Sequence, residues 1–122
     1  MKAAREEWIL AVFIGALTVA ACAGAPAPTS DGTPAVTLDV IAEARAFRHE
    51  TLSVPAGSPF AIRFENRDTL PHNIDVHGPS RMASEIFSGP ASRIAVFGAL
   101  PAGIYTFICD VHPDMVGTIV SR

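Results

Sequence analysis

Several things are scarce in this sequence, and each scarcity excludes something. Cysteine occurs twice in 122 residues, too few for a disulfide-rich scaffold. Charged residues make up 17%, with nine basic against twelve acidic. That balance argues against a nucleic-acid partner, which normally meets a basic stripe. Lys2 is the only lysine and Trp8 the only tryptophan. No apolar run reaches the roughly 20 residues that a bilayer-spanning helix needs. No internal repeat is present, and no helical apolar period lasts three turns after residue 35. What is abundant is apolar residue, at 49%. That fraction excludes a wholly disordered chain. The length allows one domain with a tail, and not two.

The apolar residues are unevenly spread. Lys2 and Arg5 open the chain, diluted by Glu6 and Glu7. The run at 8–21 then holds a single polar residue, Thr18. It is too short to span a membrane and fits the core of a signal peptide. A buried amphipathic helix is the plainer alternative, but no charged face recurs at helical spacing. The run ends in Val19-Ala20-Ala21-Cys22, which resembles a bacterial lipobox. The resemblance implies a signal peptide at 1–21 and lipidation of Cys22. Val19 stands where leucine is commoner. The alternative is ordinary cleavage with Cys22 left as a stray exposed thiol, a liability outside the cell. Acyl chains would anchor the protein to a membrane without a spanning helix. Residues 23–35 are small and rich in Pro and Gly, so 22–35 reads as the lipidated cysteine and a flexible linker. The folded domain is then 36–122, small enough that a metal would help to hold it.

Within that domain the pattern alternates. Val36, Leu38 and Val40 are separated by Thr37 and Asp39, and Phe60, Ile62 and Phe64 by Ala61 and Arg63. Ile74 and Val76 flank Asp75; Ile94 and Val96 flank Ala95; Tyr105, Phe107 and Cys109 alternate with Ile104, Thr106 and Ile108. Period-two alternation places one set of side chains on the core face. A last strand is expected at 117–121. Turn chemistry separates these runs at Pro55-Ala56-Gly57, Asn66-Arg67-Asp68, His77-Gly78-Pro79 and Pro101-Ala102-Gly103. The fold class is therefore all-β, a β-sandwich or Greek-key barrel. Residues 78–92 lack a pattern and read as a loop with one helical turn near 82–87.

The chemistry gathers near the C-terminus, in Cys109-Asp110-Val111-His112-Pro113-Asp114-Met115. A second histidine stands in Leu70-Pro71-His72-Asn73. One thiolate, two imidazoles and a thioether are the donors of a mononuclear blue-copper site, with His₂Cys in a plane and a distant axial Met. Cys109 ends a strand, a two-residue loop returns His112, and Pro113 blocks a helix. Two residues on, Met115 is expected just before the next strand. His72 closes the site from another strand edge. Each residue alone reads more simply: His72 as a solvated strand end, Met115 as core packing. The force lies in the set, in an all-β exported domain. His77 lies an odd offset from His72 and so points to the opposite face. It reads as a surface histidine, like His49. Arg63, Arg67, Arg81 and Arg93 read as a solvated face before a docking patch, and Met82 as packing.

The stretch Asn66–Asn73, the run from Cys109 to Gly117, and Leu52-Ser53-Val54-Pro55-Ala56-Gly57 together resemble the cupredoxins, especially the plastocyanin and amicyanin group. The resemblance covers about 36–122. It implies a Greek-key β-sandwich and one-electron transfer by a single type 1 copper. It implies ligands at His72, Cys109, His112 and Met115, the short gaps looking most like amicyanin. It implies that Asn73 ties the ligand loops together at Asp110, where its plain alternative is a turn asparagine. Asp110 departs from the hydroxyl residue usual after the cysteine. The resemblance also implies an electron portal at the second loop histidine, bordered here by Pro71, Pro113 and Val116. Partners would be a redox donor and acceptor protein, met by a lipid-anchored monomer outside the cytoplasm. No general base or base-paired nucleophile is apparent, so an enzyme is not expected. Two rivals remain: a module that stores, delivers or senses copper, and a metal-free envelope adhesion domain.

Overall fold

The computed structural model describes residues 32–122. The expected signal peptide, the lipidation at Cys22 and the linker up to residue 31 lie outside the described residues. Among these, every regular element is a strand, and no helix is long and apolar enough to cross a membrane. The strands are β1 (Thr37–Glu43), β2 (Ala46–Phe47), β3 (Thr51–Val54), β4 (Phe60–Asn66), β5 (Pro71–His72) and β6 (Asp75–His77). They continue with β7 (Arg81–Ala83), β8 (Phe87–Ser88), β9 (Ala91–Phe97), β10 (Gly103–Cys109) and β11 (His112–Ser121).

One sheet runs β2-β1-β4-β9 and the other β3-β11-β10-β6-β7, with β5 and β8 as a short separate pair. The β1–β4 and β3–β11 pairs are parallel, the rest antiparallel. The chain changes sheet after β2, after β3 and again after β4, the crossing pattern of a Greek-key sandwich. Both sheets give their inner faces to one core. Val40, Phe60, Ile62 and Phe64 enter from the first, and Leu52, Val76, Phe107 and Ile119 from the second.

Alternation predicts the inner face of β4 correctly, whereas β10 is fairly apolar on both faces in sequence and its inner set is decided by packing. Phe60, Ile62, Phe64, Phe107 and Cys109 are buried. The Phe107 ring lies tilted against that of Phe47, centroids 5.0 Å apart, and burying such a ring stabilises by about 2–3 kcal/mol. It pairs across the ladder with Gly117, where an added Cβ would meet the Phe107 ring at 2.1 Å. Only glycine leaves room for that ring.

Three expectations need correction. On β9 the large apolar residues point outward: Ile94 is 64% and Val96 58% exposed. The register sets Ala95 opposite Ile62 and Phe97 opposite Phe60, so these face the core. Residues 82–87 hold no helical turn. Residues 81–83 pair with β6 instead, and Ser84 exchanges hydrogen bonds with Ile74, its N–H to the carbonyl and its Oγ from the N–H. Backbone groups satisfied across a ladder are not available for a helical turn. Finally, β11 starts at His112, not at 117, so Met115 lies within a strand.

Candidate metal centre

The hairpin that carries three of the candidate donors is built by a register slip. Ile108 pairs with Val116, but Cys109 pairs with His112. Asp110 and Val111 make the turn, while Pro113, Asp114 and Met115 bulge from the ladder without partners on β10. A bulge of this kind re-aims side chains. It lets a thiolate, an imidazole and a thioether arise from one short segment.

His72 ends β5 and is fully buried, as is Cys109. His112 is half-buried, and Met115 is buried in the same core as Cys109. The Cys109 sulfur lies 3.7 Å from His72 Nδ1 and 3.8 Å from His112 Nδ1. The two Nδ1 atoms are 3.1 Å apart. Donors sharing one metal ion at about 2.0–2.3 Å must lie roughly 3–4 Å from each other. All three separations fall there. A soft thiolate with two imidazoles suits copper, so the residues present fit the group that the sequence implies. His77 and His49 lie outside this cluster.

The surroundings hold the donors from two sides. On one side, His72 Nε2 sits 2.8 Å from Asp68 Oδ2. Asp68 also accepts the N–H of Ala44 at 2.8 Å and of Arg45 at 3.0 Å. Burial works to raise the Asp68 pKa, but the bonds from Arg45, His72 and Ala44 outweigh it, and the carboxyl sits below its ordinary value. On the other side, Asn73 Nδ2 donates to Asp110 Oδ2 at 2.8 Å, and the Asp110 N–H donates to Asn73 Oδ1 at 2.9 Å. Asn73 thus bridges, at Asp110, the two segments that carry the candidate donors.

Asp110 also receives Arg81, whose Nε donates to Asp75 Oδ2 at 2.8 Å. The Asn73 hydrogen bond, with the Arg81 charge behind it, holds the Asp110 carboxyl below its ordinary value against the opposing effect of burial. His77 Nε2 lies 2.8 Å from the same Asp75 oxygen, at the exposed end of β6. The arginines do not form one patch. Arg63 pairs with Asp39, Arg67 with Glu65, and Arg93 lies over the Phe87 ring at 5.1 Å.

Sequence reasoning missed Asp68, Asp75 and Arg81. A signal for Asp68 was present: a carboxylate four residues before a candidate ligand. It was absorbed into a turn reading. Asp75 alternates with the apolar Ile74 and Val76, yet it is buried with them.

Comparison with known proteins agrees with this geometry. The cupredoxin-like domain family matches residues 10–121, and the chain belongs to that family. The chain is 30% identical to amicyanin-alpha of Methylorubrum extorquens over 98% of both chains. Among solved structures, amicyanin of Paracoccus versutus superposes with a TM-score of 0.57 at 20% identity, covering 74% of this chain and 85% of that one. Auracyanin A of Chloroflexus aurantiacus, described as a blue copper protein, superposes at 0.62 with 23% identity, covering 70% and 98%.

Proposed function

We propose that the protein is a one-electron carrier whose single copper is held by His72, Cys109, His112 and Met115. The observation that carries this reading is the set of three donor atoms spaced for one ion, with Met115 buried in the same core cluster as Cys109. Family membership and the name of auracyanin A support it. Copper bound there supplies the Cu(I)/Cu(II) couple.

The chain's own residues do the rest. Burial of Cys109 and His72 excludes water from the thiolate and one imidazole. Asn73 and Asp110 hold the two ligand segments in register, so that the donors keep one arrangement in both oxidation states. Half-buried His112 is the donor nearest solvent, and exposed Val111 and Val116 flank its segment. That apolar edge suits transient contact with a redox donor and an acceptor.

Cys109 beside an imidazole is also the pairing of a thiol nucleophile, but a fully buried sulfur cannot reach a substrate. The protein is therefore read as a carrier and not an enzyme. It would work as a monomer outside the cytoplasm, in the periplasm or on the cell surface. Cys22 would hold it to the membrane by acyl chains, with 23–35 as the tether.

The copper-loaded protein is expected to show an intense visible thiolate-to-copper band. Cys109→Ser should abolish it; colour surviving that change would sink the site. Reversible redox cycling with copper retained supports a carrier. Rapid loss of Cu(I) to a chelator would favour copper storage or delivery instead.

A further inference from the structure

We propose that the outer margin of β9 is a docking surface for an acidic face of the carrier's redox partner, with Arg93 as the anchor for a partner carboxylate. The inference rests on the carrier reading and concerns none of the four candidate ligands.

Arg93 differs from the other strand and turn arginines in its surroundings. Arg45, Arg48, Arg63, Arg67 and Arg81 each form an ion pair with a carboxylate. Among the described residues Arg93 has no such partner. Its Nη1 donates to the Ser92 carbonyl at 3.0 Å, and its guanidinium lies over the Phe87 ring at 5.1 Å. Contact with a ring face holds a cation without neutralising it. The side chain is therefore ordered before any partner arrives, which lowers the entropy lost on binding.

The fold sets that charge in a suitable place. β9 is an edge strand of its sheet. By alternation Arg93 belongs with Ala95 and Phe97, and its register partner is the core residue Phe64. At the open margin it leaves the core and lies on Phe87 instead. Arg63, Ser92 and Ile94 line a groove of about 220 Å³ with it. Arg63 is already paired with Asp39 at 3.0 Å, so the unbalanced charge is that of Arg93. Exposed Ile94 and Val96 continue along the outer face. Apolar contact with an arginine beside it is the usual make-up of a protein interface.

An edge strand can also pair with β9 of a second copy. That seam would bring two copies of Arg93 together, and an inward-set charge on an edge strand opposes such pairing. A carboxylate meets no such repulsion and fits the guanidinium fork. The place also suits electron transfer. Phe87 pairs with His72 across the β5–β8 ladder, so one aromatic ring lies between Arg93 and a candidate ligand.

The test begins with metal-free protein and two probes, glutarate and the capped peptide Glu-Leu-Glu-Leu-Glu. Amide NMR at low salt should place both at Ser92, Arg93 and Ile94. Arg93→Gln should weaken both about three- to tenfold. Arg93→Lys keeps the charge and should restore most of the binding. Ile94→Thr should weaken the peptide alone. Arg122→Gln removes an equal charge from the exposed chain end and should weaken neither. The reduced, copper-loaded protein is then mixed with hexacyanoferrate(III), which takes one electron and becomes hexacyanoferrate(II). Arg93→Gln should slow this reaction about three- to tenfold. It should not slow oxidation by the cation tris(phenanthroline)cobalt(III).

Equal weakening by Arg93→Gln and Arg122→Gln would reduce the effect to net charge and overturn the proposal. A peptide indifferent to Ile94→Thr would mean a site for free carboxylates, and dimers lost in Ile94→Thr would give the surface to a second copy. Either overturns it, as does an unchanged rate with hexacyanoferrate(III). Binding is read without metal, so failure of this surface and failure of the copper reading are separate results.

Discussion

Cys109, His112 and Met115 could be named as candidate donors from spacing because they lie on one segment, where chain connectivity alone keeps them close. Asn73 could be linked to Asp110 only through family resemblance, since 37 positions separate them. Asp68 stands only four residues before His72, but what fixes its carboxylate there is a turn 23 and 24 residues away. Asp110 allows a pH test. Its carboxyl is held below the ordinary 3.8 by Asn73 and Arg81, so the charged form stabilises the fold above that value. This contribution is lost as pH falls through the folded pKa. Asp110→Asn should therefore be less stable than wild type near neutral pH, with the gap closing below about pH 4. Urea denaturation of the metal-free protein across pH measures this; a gap constant with pH would contradict it. Gly117→Ala is a second case. Its Cβ would strike the Phe107 ring, and overpacking of this kind costs about 1–3 kcal/mol. A denaturation midpoint equal to wild type would show that the ring gives way freely.

Strands were legible as period-two runs, but alternation does not say which face is inward. On β4 one set is aromatic or aliphatic and the other holds Arg63 and Glu65, so charge decides. On β9 both sets contain apolar residues, and the cross-strand register with β4 decides instead. Ile94→Thr should accordingly change stability by less than about 0.5 kcal/mol. Phe97→Ala, which removes a ring stacked at 5.3 Å on Phe60, should cost about 3–5 kcal/mol. Equal losses in the two variants, read from unfolding midpoints, would reverse the facing. β7 was illegible for another reason. Arg81, Met82 and Ala83 have no strand pattern of their own and are extended because β6 offers them a ladder. The bulge after His112 was equally hidden, since a register slip is a property of two strands and not of one.

Across the whole molecule, burial and ligation support each other. Cys109 and Met115 belong to the hydrophobic core and to the candidate centre alike. Copper that binds only the folded chain must then stabilise it. At a thousandfold its Kd a ligand adds about 4 kcal/mol. In a domain of this size each kcal/mol moves the thermal midpoint by about 4–8 °C. Calorimetry of metal-free and copper-loaded protein should show a clearly higher midpoint with copper; coincident curves would mean that the metal does not bind the folded site.

The scarcity of cysteine and of long apolar runs already left room for one small β-domain with a single thiolate. Donor types and their order along the C-terminal segment follow from the residues themselves, because neighbours in a chain stay neighbours in space. The same holds for the division into strands and turns, which reflects local polarity and the turn-forming residues between the runs. The facing of β9, the ladder that extends β7, the slip that brings Met115 out of register and the carboxylate behind His72 do not follow in this way. Each is fixed by contacts between segments far apart in the chain, and those exist only once the two sheets have closed on their common core.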